Sequence, residues 1–151
     1  MQERIENIEA LERFAEKFVR GLFPRTEGAT LVTLSGELGA GKTAFTKSVA
    51  KVLGVAEVVT SPTFVLEKIY ALPAPRSGAG FTRLIHIDAY RLDSGADLAP
   101  LGFDELMRDS GNLILLEWPE KVMDALPVPA TALRFETLSD GTRTISTRTG
   151  A

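Results

Sequence analysis

Gly36-Glu37-Leu38-Gly39-Ala40-Gly41-Lys42-Thr43 fits the spacing G-x-x-x-x-G-K-[ST], the phosphate-binding loop of nucleotide-binding proteins. Chemistry sets that spacing. Gly36 and Gly41 allow backbone angles that a Cβ resists, so the loop can curl around an anion with its N–H groups turned inward. A helix beginning there adds free N–H groups and a partial positive charge. Lys42 supplies a full positive charge for the β- and γ-phosphates, and the Thr43 hydroxyl is suited to Mg²⁺. Between the two glycines, Glu37, Leu38, Gly39 and Ala40 complete the expected cradle, and Ala44 follows it into the helix.

The flanking residues agree with this reading. Residues 29–35, Ala-Thr-Leu-Val-Thr-Leu-Ser, are short, apolar and β-branched, as in a buried strand. Residues 44–54 read as a helix with Phe45, Val49, Val52 and Leu53 on one face and Gly54 as its stop. Strand, loop and helix in that order separate a working phosphate loop from a glycine-rich turn that only connects.

The rest of the 151 residues sets bounds. The length predicts one domain, residues 1–151, with a real core. With a net charge of −3 and no basic run, direct strong binding to DNA or RNA is not indicated. The absence of cysteine excludes disulfides and thiolate metal sites, and a single histidine excludes a multi-histidine site. No apolar run approaches a membrane span, and the first residues lack the pattern of a signal peptide. A cytoplasmic protein is expected.

Along the chain, residues 7–20 predict an amphipathic helix. Asn7 is its cap, and Ile8, Leu11, Phe14, Ala15, Phe18 and Val19 share a face. Residues 65–71 read as a strand, 73–80 as a variable surface loop, and 101–107 as a short helix. Residues 83–88 and 112–117 are apolar strands, each ending in a carboxylate. Pro119 suits the first position of a helical turn. Residues 132–137 and 142–147 predict a hairpin turning at Ser139-Asp140-Gly141. The fold class is therefore α/β: a P-loop NTPase-like single domain, its central sheet mostly parallel and flanked by helices, with an antiparallel C-terminal hairpin.

A P-loop enzyme needs an acidic group near Mg²⁺ at a strand end, and Asp88 and Glu117 are the two candidates. Thr63, in Ser61-Pro62-Thr63-Phe64, sits where switch threonines sense a γ-phosphate; the same three residues also read as a plain turn. His86 alternates with core residues and reads as structural.

Taken in order, four motifs make the chain resemble the TsaE (YjeE) family, the small ATPases of bacterial tRNA threonylcarbamoyladenosine synthesis. They are the loop 36–43, with Glu37 where the family has Asp, then Ser61-Pro62-Thr63-Phe64, His86-Ile87-Asp88-Ala89-Tyr90-Arg91-Leu92 and Glu117-Trp118-Pro119-Glu120. The resemblance implies that ATP and Mg²⁺ are bound. It implies that Thr43 and Glu117 are metal ligands, with Asp88 a further active-site carboxylate, and that Thr63 watches the γ-phosphate. Trp118 and Glu120 then flank the nucleotide, and Arg143 matches a late arginine beside it. Asn7 falls where the family often carries a threonine near the adenine, and Ala44 where it often has a second threonine. The implied partners are the TsaD and TsaB proteins, with tRNA met only through their complex. Two other classes compete. A P-loop small-molecule kinase would use lid arginines, for which Arg76 and Arg83 are the candidates. A GTPase would need an Asn/Thr-Lys-x-Asp guanine motif, which the chain lacks.

Overall fold

The apolar runs within 29–36, 83–88 and 112–117 become adjacent parallel strands in the computed structural model, which describes residues 1–57, 66–73 and 80–150. In chain order the strands are β1 (Gln2–Ile5), β2 (Thr30–Gly36), β3 (Glu67–Ala71), β4 (Arg83–Asp88), β5 (Asn112–Glu117), β6 (Thr131–Thr137) and β7 (Arg143–Thr149). They form one sheet in the order β1-β7-β6-β2-β5-β4-β3. The middle four, β6, β2, β5 and β4, run parallel, while β3, β7 and β1 pair antiparallel with their neighbours. Every residue of β5 is buried, as expected for a central strand covered on both faces.

Helices α1 (Ile8–Arg20) and α2 (Lys42–Leu53) cover one face. There Phe14, Phe45, Val49, Leu34, Leu115 and Phe135 join one core. Side chains of this size contribute about 1.5–3 kcal/mol each when buried. Across the sheet, Leu31, Ile85, Ile87, Ile114 and Leu116 pack under a 3-10 segment (Gly95–Leu101) and the short α3 (Phe103–Leu106). The parallel register sets Asp88 opposite Glu117, and Glu117 opposite Leu34. Both strand-end carboxylates therefore come out beside the start of α2.

Several sequence expectations shift in detail. Ile8 and Val52, assigned to apolar faces, are 53% and 39% exposed. In α2 the buried face runs through Phe45, Thr46, Val49 and Ala50, which leaves Val52 at its margin. Thr46 can be buried because its hydroxyl donates to Lys42 O at 3.1 Å. The helix expected at 101–107 is broken by Gly102 at φ 72, with the 3-10 segment before it and α3 after it. β1 was not foreseen: a polar edge strand with one buried residue, Ile5, carries no periodic signal. The hairpin turn is as expected. Asp140 Oδ1 accepts from the Thr142 N–H at 3.0 Å and its hydroxyl at 2.6 Å.

Phe45 is the hinge of the first core. Its ring lies 5.9 Å from Phe14, 5.5 Å from Phe18 and 5.6 Å from Phe135. Phe45→Ala is expected to cost about 3–5 kcal/mol in urea unfolding. A loss within about 0.5 kcal/mol, as for a surface change, would contradict this packing.

Candidate functional site

The loop between β2 and α2 is shaped by two close approaches. A Cβ on Gly36, at φ 140, would lie 2.4 Å from Phe135 O, so no larger residue fits. Gly41 precedes α2 at φ 109, with no side chain capping the helix. The N–H groups of the first turn are therefore left to other acceptors. Glu37, Leu38 and Gly39 are exposed at the rim, Ala40 is buried and Ala44 is half-buried.

Lys42 is 4% exposed. Its ammonium donates to Gly36 O and, at 3.4 Å, to Glu37 O. It also lies 4.0 Å from the centre of the Trp118 ring, a cation–π contact. Burial lowers its pKa, and the nearby carboxylates of Glu117, Glu120 and Asp88 oppose that shift. Trp118 has φ 60, the one positive φ outside glycine among the described residues. Such a conformation costs about 1–3 kcal/mol. Its N–H donates to Leu34 O at 3.1 Å, and Pro119 disfavours right-handed helical angles at the residue before it. The left-handed turn leaves the indole against both Lys42 and Tyr90, whose ring is 5.0 Å away.

Beside the ammonium stand the oxygens. Thr43 Oγ1 faces Glu117 Oε2 at 3.5 Å. Glu117 is 3% exposed, and the same oxygen meets His86 Nε2 at 2.5 Å. Asp88 is half-buried, and its Oδ1 accepts from the Tyr90 N–H at 3.0 Å. Burial raises the Asp88 pKa, the Tyr90 hydrogen bond lowers it, and Glu117 raises it further. A hydroxyl and carboxylates form a hard-oxygen set that suits Mg²⁺, which takes few protein ligands and completes its shell with water and phosphate. No group of three or more acidic, histidine or cysteine side chains placed to hold a metal occurs among the described residues.

The remaining candidates fall on the loop's other side or outside the described chain. Arg143 Nη2 donates to Gly39 O at 3.2 Å. A cavity of about 110 Å³ opens next to Gly41, lined by Ile5, Asn7, Ala40, Phe135 and Arg143 among others. Asn7 borders it, but its side-chain oxygen is already spent on the Ala10 N–H at 2.8 Å, capping α1. Glu120 is exposed and acts on Lys42 by its charge. Thr63 and the motif around it, like Arg76, lie outside the described residues. Arg83 sits at the opposite end of β4 from Asp88 and binds Asn112 Oδ1 at 2.9 Å. His86 is fully buried among core residues, and beyond that it touches Glu117, a contact that the sequence reading does not include. The signal was available, since His86 and Asp88 are two apart on a strand and share a face.

Known proteins resemble this chain in sequence and in fold. A family model described as "Threonylcarbamoyl adenosine biosynthesis protein TsaE" matches residues 5–145. The tRNA threonylcarbamoyladenosine biosynthesis protein TsaE of Streptomyces coelicolor is 43% identical over 107 residues, 70% of this chain and 68% of that one. Its counterpart in Treponema pallidum is 38% identical over 120 residues, covering 80% and 82%. The crystal structure of YdiB from Bacillus subtilis superposes with a TM-score of 0.75 at 28% identity, covering 100% of this chain and 86% of that one.

Trp118 is the chain's only tryptophan and stacks on the ammonium of the phosphate loop. A triphosphate that draws Lys42 away changes the indole's surroundings. Titration with ATP should therefore alter the tryptophan emission saturably. Emission that stays constant while calorimetry reports binding would contradict the Lys42–Trp118 contact.

Proposed function

The chain belongs to the TsaE family, and on that premise we propose that it binds and hydrolyses ATP with Mg²⁺ in the making of tRNA threonylcarbamoyladenosine. We propose further that it does so on a complex of TsaD and TsaB, meeting tRNA only through them, and that residues 1–151 form one P-loop ATPase domain working in the cytoplasm. The observation that carries this reading is the meeting of Lys42, Thr43 and Glu117 at the carboxyl ends of β2 and β5. Family membership supports a nucleotide-binding role in that pathway.

In this proposal the backbone of residues 36–44 cradles the phosphates and Lys42 balances their charge. Thr43 and Glu117 hold the ion, and bound Mg²⁺ neutralises charge that develops on the phosphoryl oxygens. Asp88 ranks behind Glu117 as a direct ligand, because it is Glu117 that faces the Thr43 hydroxyl. Asp88 remains a candidate for ordering the attacking water. Thr63 is assigned to sensing the γ-phosphate. The base is assigned to the cavity beside Gly41, with Asn7 and Arg143 at its edge and Trp118 and Glu120 on the phosphate side. The family's Asp is replaced by Glu37 at the exposed rim, where either carboxylate is solvated. Nothing among the described residues favours the kinase alternative, since Arg83 is engaged at the wrong end of its strand.

The isolated protein should be a slow ATPase. Glu37, Leu38 and Gly39 leave the rim open to water, which weakens electrostatic leverage on the transition state. Related NTPases gain about a thousandfold or more when a partner supplies a further cation. Phosphate release should rise several-fold on adding purified TsaD–TsaB complex, and Thr63→Ala should blunt the rise. No stimulation, together with rapid ATP use on a metabolite acceptor, would overturn the proposal.

A further inference from the structure

The pairing of His86 with Glu117 is unused by anything above. His86 is fully buried on β4, and its Nε2 lies 2.5 Å from Glu117 Oε2 on the neighbouring strand. The two residues are not register partners, since His86 stands opposite Leu115 and Glu117 opposite Asp88. The contact is thus a diagonal reach toward the strand ends. Both known contacts of the carboxylate, to His86 and to Thr43, fall on Oε2, and Oε1 has no hydrogen-bond partner among the described residues.

The other ring nitrogen settles what kind of contact this is. Among the described residues, the buried His86 Nδ1 has no hydrogen-bond partner. The apolar residues of its own face, Leu84, Leu113 and Leu115, offer it none. A histidine kept only for core stability would ordinarily satisfy both nitrogens. Here one nitrogen is left unpaired, while the other meets the single buried carboxylate that borders the phosphate loop. An ionised carboxylate accepts only, so the proton of this hydrogen bond is assigned to Nε2.

We infer that His86 is a positioning residue: its Nε2–H clamps Oε2 of Glu117, holds the carboxylate beside Thr43 and leaves Oε1 open to the metal ion. The inference rests on the proposal that Glu117 holds Mg²⁺. A free glutamate at a strand end samples several rotamers, and only some face Thr43. A clamp on one oxygen removes that freedom before the ion arrives, as partners of ligating carboxylates do in metal sites generally. The imidazole touches neither nucleotide nor ion; it acts through Glu117.

Two measurements test this. The first needs no activity: with one histidine in the chain, a long-range ¹H–¹⁵N spectrum of the wild-type protein reports a single imidazole. A proton on Nε2 is expected, and an Nε2 without one overturns the inference. The second is the Mg²⁺ concentration that half-saturates ATP-dependent thermal stabilisation. His86→Leu, which keeps bulk but loses the donor, should raise it about tenfold to a hundredfold. His86→Gln, which keeps an N–H donor at similar reach, should recover most of that loss. ADP affinity in EDTA should stay at the wild-type value in both. If His86→Leu does not fold, His86→Gln and the spectrum still decide. A wild-type Mg²⁺ requirement in His86→Leu, with Glu117→Ala strongly shifted, overturns this inference alone. A wild-type requirement in Glu117→Ala overturns the metal assignment and the inference with it.

Discussion

Burying a carboxylate is costly, and Glu117 is 3% exposed at the end of a strand, directly after the apolar run Leu113 to Leu116. The isolated charge would be expelled or neutralised unless its surroundings compensate it. Three groups do so here. His86 donates to it from β4, Thr43 faces it from the first turn of α2, and the Lys42 ammonium lies within its electrostatic reach. They come from two elements, β4 and the first turn of α2, and meet a residue of a third, β5. The compensation therefore exists only when β2, β4, β5 and α2 are assembled in their observed register. This couples the fold to the site more tightly than the hydrophobic core alone does.

The same constraint explains where the molecule tolerates unfavourable local structure. Lys42 is taken out of water, and burial outweighs the attraction of its acidic neighbours. Trp118 accepts a left-handed backbone so that its ring meets the ammonium. Gly36 is pressed against the backbone of β6 so tightly that a Cβ would clash. These costs are concentrated within one turn of the loop, and they are carried by two apolar cores on opposite faces of the sheet. Stability is thus invested away from the loop and drawn on beside it, as is usual where side chains are prepared for a charged ligand.

Where local pattern and long-range packing agree, the sequence was legible. Residues 29–54 carry strand, glycine loop and helix in an order that only one arrangement satisfies, and the structure has that order. The strand-end carboxylates were visible because apolar runs stop abruptly at Asp88 and Glu117. Contacts made across the sheet were not visible. β1 exists because Gln2–Ile5 pairs with β7 from the far end of the chain, and nothing in four mostly polar residues announces that. The role of Asn7 as a helix cap was legible from its type, while its place beside the loop cavity depends on the fold of the hairpin. His86 looked like core because its neighbours in sequence are core. Its partner lies 31 residues away and is reached only across a parallel pair.

The central claim is that Lys42, set in this glycine loop, holds the phosphates of ATP. Calorimetric titration of the protein and of Lys42→Met with ATP and Mg²⁺ tests it most directly. The methionine is an unbranched side chain of similar bulk that lacks the charge and its donors to Gly36 O and Glu37 O. Loss of a charged contact of this kind typically costs about 2–5 kcal/mol. The account therefore predicts affinity about thirtyfold weaker or worse in a variant that unfolds cooperatively like the wild type. Unchanged affinity in such a folded variant would contradict it.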